Sequence, residues 1–271
     1  MSDADPGAMD HRRAAARALA CLDLTSLNLD DTPERIDALC DRAMSPAPGI
    51  DIHPAAVCIY PRFVAQVRAR VGDSGIAVAA VANFPAGIGS ADAVVDEVAR
   101  ALADGADEID VVFPFRAYLA GQHDAPAELV RRVSAVCRTG THRAKLKVIL
   151  ETGVLKDRDV IKGAAEVAVA NGADFLKTST GKLEPAATPE AVAALLEVIA
   201  EMQLRGRPIG LKVAGGVKTV ADAVVYLGLA DAVLEPDGAV PGNFRFGASG
   251  LLNDIVAVLG GSHDMRLSTE Y

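Results

Sequence analysis

Tryptophan is absent from the chain, and phenylalanine, tyrosine and tryptophan together make up 4% of its residues. So few aromatic rings argue against a base-stacking platform for single-stranded nucleic acid. The formal net charge is −9, and no basic run is present, which disfavours nucleic acid and anionic membranes as partners. No apolar run approaches the roughly 18 residues that a membrane-spanning helix needs. Any phosphate group that the protein binds is therefore expected at a local site.

Cysteine is also scarce, and its four positions, Cys21, Cys40, Cys58 and Cys137, form no CxxC pair. The five histidines show no zinc-ligand spacing, so a metal site is disfavoured. The first twenty residues lack a continuous apolar segment, and no signal peptide is predicted. Scattered cysteines in a chain of this length predict reduced thiols and a cytoplasmic location.

Short apolar segments alternate with alanine-rich, helix-periodic segments along the chain. The apolar segments are rich in β-branched residues and do not alternate with polar ones, as expected for strands buried on both faces. The predicted strands are 21–24, 56–60, 76–82, 108–113, 145–151, 175–177, 209–213 and 243–247. The predicted helices are 33–43, 62–71, 91–104, 127–138, 157–171, 189–204, 220–228 and 250–259. Thr32-Pro33 and Thr188-Pro189 each predict a helix N-cap followed by proline.

Eight strand–helix pairs without a linker-like stretch predict an α/β protein with a single-domain (β/α)8 TIM barrel. A doubly wound open sheet is the alternative, but DLTSLNLDD after the first strand lacks its glycine fingerprint. The expected organisation is an N-terminal extension or helix over 1–18, the barrel over 19–260 and a flexible tail over 261–271. DGADEIDVVF and NGADFLKTST indicate a repeated helix-to-strand joint.

Charged residues occupy several of the predicted strands. Asp110, Lys147, Lys177 and Lys212 lie on four separate strands, within or at the end of apolar segments. Helices cover the outer face of a barrel, so polar side chains on its strands are expected at the mouth, where barrel enzymes have their active sites. A single strand lysine is commonly a snorkelling or ion-paired residue. Three lysines and an aspartate together instead indicate a functional site.

Lys177, in FLKTSTGK, is the most informative of these residues. An isolated buried ammonium is costly unless it is paired or its pKa is shifted. Burial and neighbouring cations lower the pKa of a lysine from about 10.4, and a neutral lysine amine forms a Schiff base with a carbonyl group. We therefore predict that Lys177 is placed where it can lose its proton.

Glycine-bearing segments at 180–182, 214–217 and 247–250 follow the last three predicted strands. Barrels often build phosphate sites from such loops, and Lys182 and Ser249 can add direct bonds. A P-loop is excluded, because Leu176 and Leu183 occupy positions where that motif needs Gly and Ser or Thr. The alternative is that the glycines only turn corners.

Seven segments, in the same order, resemble the motifs of the deoxyribose-phosphate aldolase family: LDLTSLN, VCIYPRFV, EIDVVFP, LKVILETG, GADFLKTSTGK, KVAGGVKT and FRFGAS. The resemblance runs from residue 19 to about 260. It implies a class I aldolase on a TIM barrel, without metal or cofactor. Such an enzyme reversibly cleaves 2-deoxy-D-ribose 5-phosphate to acetaldehyde and D-glyceraldehyde 3-phosphate through a lysine Schiff base and an enamine. A homodimer is one assembly that the resemblance suggests.

The same resemblance assigns roles to individual residues. It implies that Lys177 is the Schiff-base lysine, that Lys212 lowers the pKa of Lys177, and that Asp110 transfers protons through water. Tyr271, at the end of the chain, matches a C-terminal tyrosine that assists proton transfer in some relatives. Other matches line the substrate pocket (Asp23, Thr25, Cys58, Lys147 and Thr180) or hold the phosphate (Gly181, Lys182, Gly215, Gly216, Gly247 and Ser249).

One position departs from the family pattern, since Gly250 stands where many relatives have a second serine, which predicts altered phosphate binding. Two other functions stay open at this stage. One is a different phosphosugar reaction on the same barrel, such as an isomerisation or a transaldolase-like transfer, because fold alone does not separate them. The other is a catalytically inactive metabolite-binding protein, which the presence of Lys177, Lys212 and Asp110 disfavours.

Overall fold

Eight parallel strands pair in sequence order and close into a barrel, in which the last strand pairs with the first. The structure is a computed structural model and describes residues 11–139, 143–234 and 238–260. The fold is therefore the predicted (β/α)8 barrel. The strands are β1 (Leu22–Thr25), β2 (Ala56–Ile59), β3 (Ala77–Ala82), β4 (Glu108–Val112), β5 (Lys145–Ile149), β6 (Phe175–Lys177), β7 (Gly210–Ala214) and β8 (Phe244–Ala248).

Helices follow each strand and cover the outside of the barrel. They are α1 (His11–Ala20), α2 (Pro33–Met44), α3 (Val64–Val71), α4 (Ala91–Ala103), α5 (Phe115–Leu119), α6 (Asp124–Cys137), α7 (Thr152–Leu155), α8 (Arg158–Ala170), α9 (Pro189–Leu204), α10 (Val220–Asp231) and α11 (Leu251–Gly260), with a 3₁₀ turn over Pro61–Phe63. No helix in these ranges is long and apolar enough to cross a membrane.

Helix α1 precedes the first strand and packs against α10 and α11. Its inner side is fully buried at Ala14, Ala15, Ala18 and Leu19. The expected boundary between residues 18 and 19 falls inside this helix, and the tail over 261–271 lies outside the described residues. The described part of the N-terminal segment is thus packed against the barrel helices.

The predicted helix starts at threonine–proline pairs are confirmed. Thr32 accepts a hydrogen bond from the backbone of Arg35, and Thr188 accepts one from Ala191, so each caps its helix. Strand β6 and helix α9 have the predicted bounds. The short helices α5 and α7 were not predicted, because four or five residues show no periodicity.

The repeated helix-to-strand joint is present before β4 and again before β6. In the first joint, the Asp107 carboxylate accepts a hydrogen bond of 2.8 Å from the backbone N–H of Val78. Asp107 also pairs with Arg68, whose Nε donates to the carbonyl oxygen of Gly105. The φ of Gly105 is +103°, a conformation that favours glycine.

The second joint repeats this geometry sixty-seven positions later. The Asp174 carboxylate accepts a hydrogen bond of 2.8 Å from the backbone N–H of Leu146 and one of 2.9 Å from Arg138. Arg138 also donates to the carbonyl oxygen of Gly172, whose φ is +108°. Each joint thereby ties the start of one strand to the start of the next.

The interior of the barrel is chemically two-sided. On the side of β2 and β3 it is apolar, with a small buried cluster of Leu27, Ala56, Cys58, Ala79 and Val81. The remaining strands direct charged side chains inward, and those at Asp110, Lys147 and Lys212 have no exposed surface. The main apolar core therefore lies between the strands and the helices, and the barrel interior is free to hold a polar site.

Candidate active site

Asp110, in the middle of β4, is the acceptor around which three lysines converge. Its Oδ2 accepts hydrogen bonds of 2.7 Å from both Lys177 Nζ and Lys212 Nζ. Its Oδ1 accepts one of 2.8 Å from Lys147 Nζ. Strand pairing produces this convergence, since Asp110 is in register with Lys147, and Lys177 with Lys212. The four strand residues singled out in the sequence therefore meet at one place.

Asp23, on β1, is a second carboxylate in the same interior. Its Oδ2 accepts a hydrogen bond of 2.5 Å from Lys212 Nζ and lies 3.5 Å from Lys147 Nζ. Lys212 thus bridges Asp23 and Asp110, whereas Lys177 contacts Asp110 alone among the carboxylates of the described chain. Lys177 is also the last residue of β6, at the barrel mouth.

Two further charged residues, Glu108 and Arg245, lie beneath this group and were not predicted as site residues. Arg245 donates hydrogen bonds of 2.6 Å to Asp23 and of 2.8 Å to Glu108. Lys147 Nζ lies 2.5 Å from the second oxygen of Glu108. The sequence held a signal for both residues, since Glu108 lies two positions before Asp110, and Arg245 lies inside FRFGAS.

The pKa values of the lysines are shifted in opposite directions. Burial lowers the pKa of Lys177, and the neighbouring Lys212 lowers it further, against the opposing effect of Asp110. Burial also opposes the charged form of Lys147, but Asp110 and Glu108 outweigh it and raise the pKa of Lys147. In the same way, Asp110 and Asp23 outweigh burial at Lys212 and raise its pKa. The expectation that converging cations depress one another therefore applies to Lys177, while carboxylates keep the other two lysines charged.

The carboxylates are held in their charged form by the same contacts. Burial alone would raise the pKa of Asp110, but Lys147, Lys177 and Lys212 outweigh it and hold that pKa well below its usual range. Asp23 behaves likewise, with Lys212 and Arg245 lowering its pKa. The site thus combines firmly ionised carboxylates with one amine that is biased toward its neutral form.

Cys58 and Thr25 lie on neighbouring strands beside this group and are in register with each other. Cys58 Sγ lies 3.9 Å from Asp110 Oδ2, and burial raises the pKa of the thiol. The Thr25 hydroxyl donates to the carbonyl oxygen of Asp23, 2.8 Å away. Both predicted pocket residues therefore border the charged group, and Cys58 is held as a thiol.

Thr180 and Glu151 form a second polar contact at the mouth of the barrel. The Thr180 hydroxyl donates a hydrogen bond of 2.5 Å to Glu151 Oε2. Glu151 is buried in a left-handed conformation with a φ of +58°, a strained arrangement for a residue with a side chain. Burial raises the pKa of its carboxyl group. Glu151 thus fixes the loop that follows Lys177.

The loops after β6 and β7 approach each other at two of the predicted phosphate residues. A Cβ on Gly215 would stand 2.5 Å from the Cβ of Ala186 and 3.3 Å from the Cα of Gly181, so a larger residue cannot be accommodated there. Gly181, Gly215 and Gly216 all have positive φ. Lys182 is exposed, and its ammonium makes no hydrogen bond or ion pair with the described residues.

Gly247 and Ser249 are at the end of β8 and just beyond it. A Cβ on Gly247 would lie 3.0 Å from Lys212 Cε, so this glycine also makes room for the Lys212 side chain. Ser249 and Gly250 are exposed before α11. Tyr271 lies outside the described residues. Across the described ranges, no group of three or more His, Cys, Asp or Glu side chains is arranged to hold a metal ion.

A (β/α)8 barrel whose mouth holds a buried lysine of lowered pKa, beside a carboxylate and a second ammonium, is typical of an aldolase that works through an amine. Residues 15–254 match the DeoC/LacD family of aldolases. The chain belongs to this family.

Individual relatives agree with this assignment. A deoxyribose-phosphate aldolase of Agrobacterium fabrum is 46% identical over 96% of this chain and 97% of its own length. The structure of a proposed deoxyribose-phosphate aldolase from Toxoplasma gondii is 28% identical over 94% of this chain and 98% of its own, with a TM-score of 0.82. The tetrameric deoxyribose phosphate aldolase of Aeropyrum pernix, at 23% identity over 92% of both chains and a TM-score of 0.72, shares the fold.

Proposed function

We propose that the protein is an aldolase that reversibly cleaves 2-deoxy-D-ribose 5-phosphate to acetaldehyde and D-glyceraldehyde 3-phosphate. The observation that carries this proposal is the state of Lys177, a buried amine of lowered pKa at the barrel mouth, bonded to Asp110 Oδ2 beside Lys212. The substrate follows from the name of the Agrobacterium relative at 46% identity over nearly the whole chain. Family membership favours aldol chemistry over an isomerisation.

The first step joins the substrate to Lys177. The neutral amine attacks the aldehyde carbon of the open-chain sugar, and the resulting carbinolamine loses water to give a protonated imine. Lys212 is the neighbouring proton donor for the departing hydroxide, because Asp23 and Asp110 keep it charged. Asp110 accepts a hydrogen bond from Lys177 Nζ at 2.7 Å and so orients the amine.

The second step breaks the C2–C3 bond. The C3 hydroxyl loses its proton to a base, the bond electrons move into the protonated imine, and D-glyceraldehyde 3-phosphate leaves behind an enamine of acetaldehyde. Asp110 is proposed to accept that proton through a water molecule, since its carboxylate is firmly ionised. The enamine carbon then takes up the proton held by Asp110, and water hydrolyses the resulting protonated imine, which releases acetaldehyde, frees Lys177 and returns a proton to Lys212.

A trapping experiment tests this function directly. The purified protein is incubated with acetaldehyde, reduced with borohydride, digested and mapped by mass spectrometry. We expect an ethyl group on Lys177, because the amine is the one biased toward its neutral form. The matched control is Lys177→Met, in which labelling of the other lysines is expected to stay at the level seen in the parent protein.

The outcome also separates the alternatives left open by the sequence. A folded protein and an active reductant without an adduct on Lys177 would refute the mechanism and leave a different phosphosugar reaction or an inactive binding protein. An ethyl adduct on exposed lysines alone would have the same meaning.

The phosphate end of the substrate is proposed to bind the loops after β6, β7 and β8. Lys182, exposed and without a partner among the described residues, supplies the charge, and the glycine-bearing loops supply backbone N–H groups. Lys182→Met is expected to raise KM for 2-deoxy-D-ribose 5-phosphate by about tenfold or more, the loss of one charge-assisted hydrogen bond. Steady-state kinetics with unphosphorylated 2-deoxyribose is the control, and its kcat/KM should stay unchanged. An equal loss with both sugars would contradict a phosphate role.

Three remaining expectations stay predictions. A homodimer is checked by light scattering, and a cytoplasmic location by fractionation of cells that express the untagged chain. Assistance by Tyr271 is checked by Tyr271→Phe, which should slow exchange of the acetaldehyde methyl protons with solvent.

A further inference from the structure

Among the described residues, the network of ion pairs inside the barrel holds one more cation than it holds carboxylates. All seven charged side chains are at most 4% exposed, and each makes at least one ion pair within the group. The carboxylates are Asp23, Glu108 and Asp110, and the cations are Lys147, Lys177, Lys212 and Arg245. If one cation is neutral, three positive charges face three negative ones. A buried group of equal and opposite charges is far less costly than one with an unmatched charge.

The ion-pair geometry decides which cation is the neutral one. Lys147 Nζ lies within 3.5 Å of three carboxylates, Lys212 Nζ within 2.7 Å of two, and Arg245 bonds to two. Within the described ranges, Lys177 has a single carboxylate partner, Asp110, and shares its Oδ2 with Lys212. Arginine also keeps its charge at all ordinary pH values. Lys177 is therefore the group that loses its proton at the lowest cost.

We propose that Glu108 and Arg245, which lie below the site and away from the substrate, are positioning residues that set the charge state of Lys177 through this balance, in which Arg245 favours the neutral amine and Glu108 favours the ammonium form. The proposal rests on the function proposed above. Arg245 supplies the positive charge that makes Lys177 the surplus cation, and it holds Asp23 toward Lys212. Glu108 neutralises part of that charge and anchors Lys147.

Several other side chains lie near the network but outside its ion pairs or at its solvent-exposed edge. Glu151 faces Lys177 from the end of β5, but it makes no ion pair with the described residues and bonds to Thr180. Cys58 faces the group from β2 and is held as a thiol. Lys145 Nζ lies 3.7 Å from Glu108, but its side chain is 44% exposed, so solvent screens it. Phe175, from β6, presents its ring to Arg245.

The Glu108–Arg245 pair is reached from the opposite end of the barrel from the substrate. A cavity of about 430 Å³ opens at the N-terminal ends of the strands and is lined by Glu108, Lys145 and Arg245, among others. Lys177 stands at the carboxyl end of β6. Substitutions at this cavity therefore change charge without touching the bound sugar.

Removing the two charges should move the pH dependence of activity in opposite directions. Arg245→Met removes a positive charge, favours the ammonium form of Lys177 and should shift the acid limb of the kcat/KM profile to higher pH. Glu108→Gln removes a negative charge and should shift that limb to lower pH. Each shift should be about one pH unit, as expected for a unit charge within roughly 10 Å in a protein interior. A general loss of structure would shift the acid limb of both variants in the same direction or leave it unshifted.

Two further variants complete the experiment. The double variant Glu108→Gln/Arg245→Met reduces the network to two carboxylates and three cations, so the surplus of one cation is kept. The acid limb of its kcat/KM profile should therefore return toward that of the parent protein. Lys145→Met removes a positive charge from the same cavity but outside the buried network, and its limb should move by less than about 0.3 pH units. If Arg245→Met does not fold, Glu108→Gln and the double variant still test the sign.

The results distinguish this proposal from the proposed function. Shifts of the same sign, or no shift in Glu108→Gln, would overturn the positioning role while cleavage and the Lys177 adduct persist in the parent protein. Absence of the adduct in the parent protein at any pH would instead refute the function on which the proposal rests. At the alkaline plateau of the profile, kcat/KM of each variant should lie within about tenfold of the parent value, because Lys177 is then neutral in every variant.

Discussion

Replacing Lys177 with methionine is expected to abolish sugar cleavage, with kcat falling by about 10⁴-fold or more. The variant lacks the amine that forms the imine, and the neighbouring Lys212 cannot substitute for it, because Asp23 and Asp110 hold Lys212 in its charged form. The measurement is a coupled assay of D-glyceraldehyde 3-phosphate release, followed over many hours to detect a slow residual rate.

The same variant should keep or gain stability. Methionine is similar in length to lysine, and Asp110 retains Lys147 and Lys212 as partners after the change. Replacing a buried polar group whose partners remain satisfied is often neutral or stabilising. Urea unfolding should therefore give a free energy of unfolding equal to or above that of the parent protein. Lys145→Met, the same substitution on a half-exposed side chain, is the control and should stay active. Retention of one tenth of the parent rate by Lys177→Met would contradict the assignment.

Asparagine at position 110 is expected to damage both stability and activity. The carboxylate accepts hydrogen bonds from three buried lysine side chains, and an amide carries no charge to balance the ammonium groups of Lys147 and Lys212. Breaking a buried ion pair in this way typically costs about 3–5 kcal/mol of unfolding free energy. Loss of the proposed proton acceptor should lower kcat/KM by about 10²–10⁴-fold.

The pH dependence of Asp110→Asn separates the two roles of this aspartate. Removing the carboxylate removes a group that raises the pKa of Lys177, so the change biases the amine further toward its neutral form. Activity should accordingly not recover at high pH, as it would if the defect were a protonated lysine. The control is Asp92→Asn, which removes a carboxylate from an exposed ion pair with Arg132 and should change stability by less than about 0.5 kcal/mol. Full recovery of Asp110→Asn at high pH would argue against a proton-transfer role.

The fold followed from the sequence because local signals agreed with the global arrangement. Strands buried on both faces read as uninterrupted apolar segments, and the Thr188-Pro189 pair marked the start of α9. The elements that the sequence pattern did not predict depend on contacts between residues far apart in the chain. Helix α7 has four residues, and a Cβ on its Gly153 would clash with the backbone of Pro185, thirty-two positions later in the chain. Contacts of that kind leave no periodic trace in a sequence.

The charged site was predicted only in its upper part. Asp110, Lys147, Lys177 and Lys212 stood out because each lies in an apolar segment. Glu108 and Arg245 escaped notice because they lie near strand starts, where charged residues are usually exposed. Strand alternation places Glu108 on the same face as Asp110, and Arg245 on the same face as Gly247. The opposite pKa shifts of Lys177 and Lys212 depend on interatomic distances, which residue spacing does not provide.

The two-sided interior of the barrel also shapes how this protein can diverge. Loss of any one of the three carboxylates of the network leaves a surplus positive charge, and loss of Lys147, Lys212 or Arg245 favours the charged form of Lys177, so inherited changes there are expected as compensating pairs. Lys177 is the exception, because three carboxylates and three cations remain when it is lost. The residue most needed for chemistry is thus the one that the fold can most easily spare. Descendants that abandon catalysis but keep the barrel for another use are expected to lose Lys177 first.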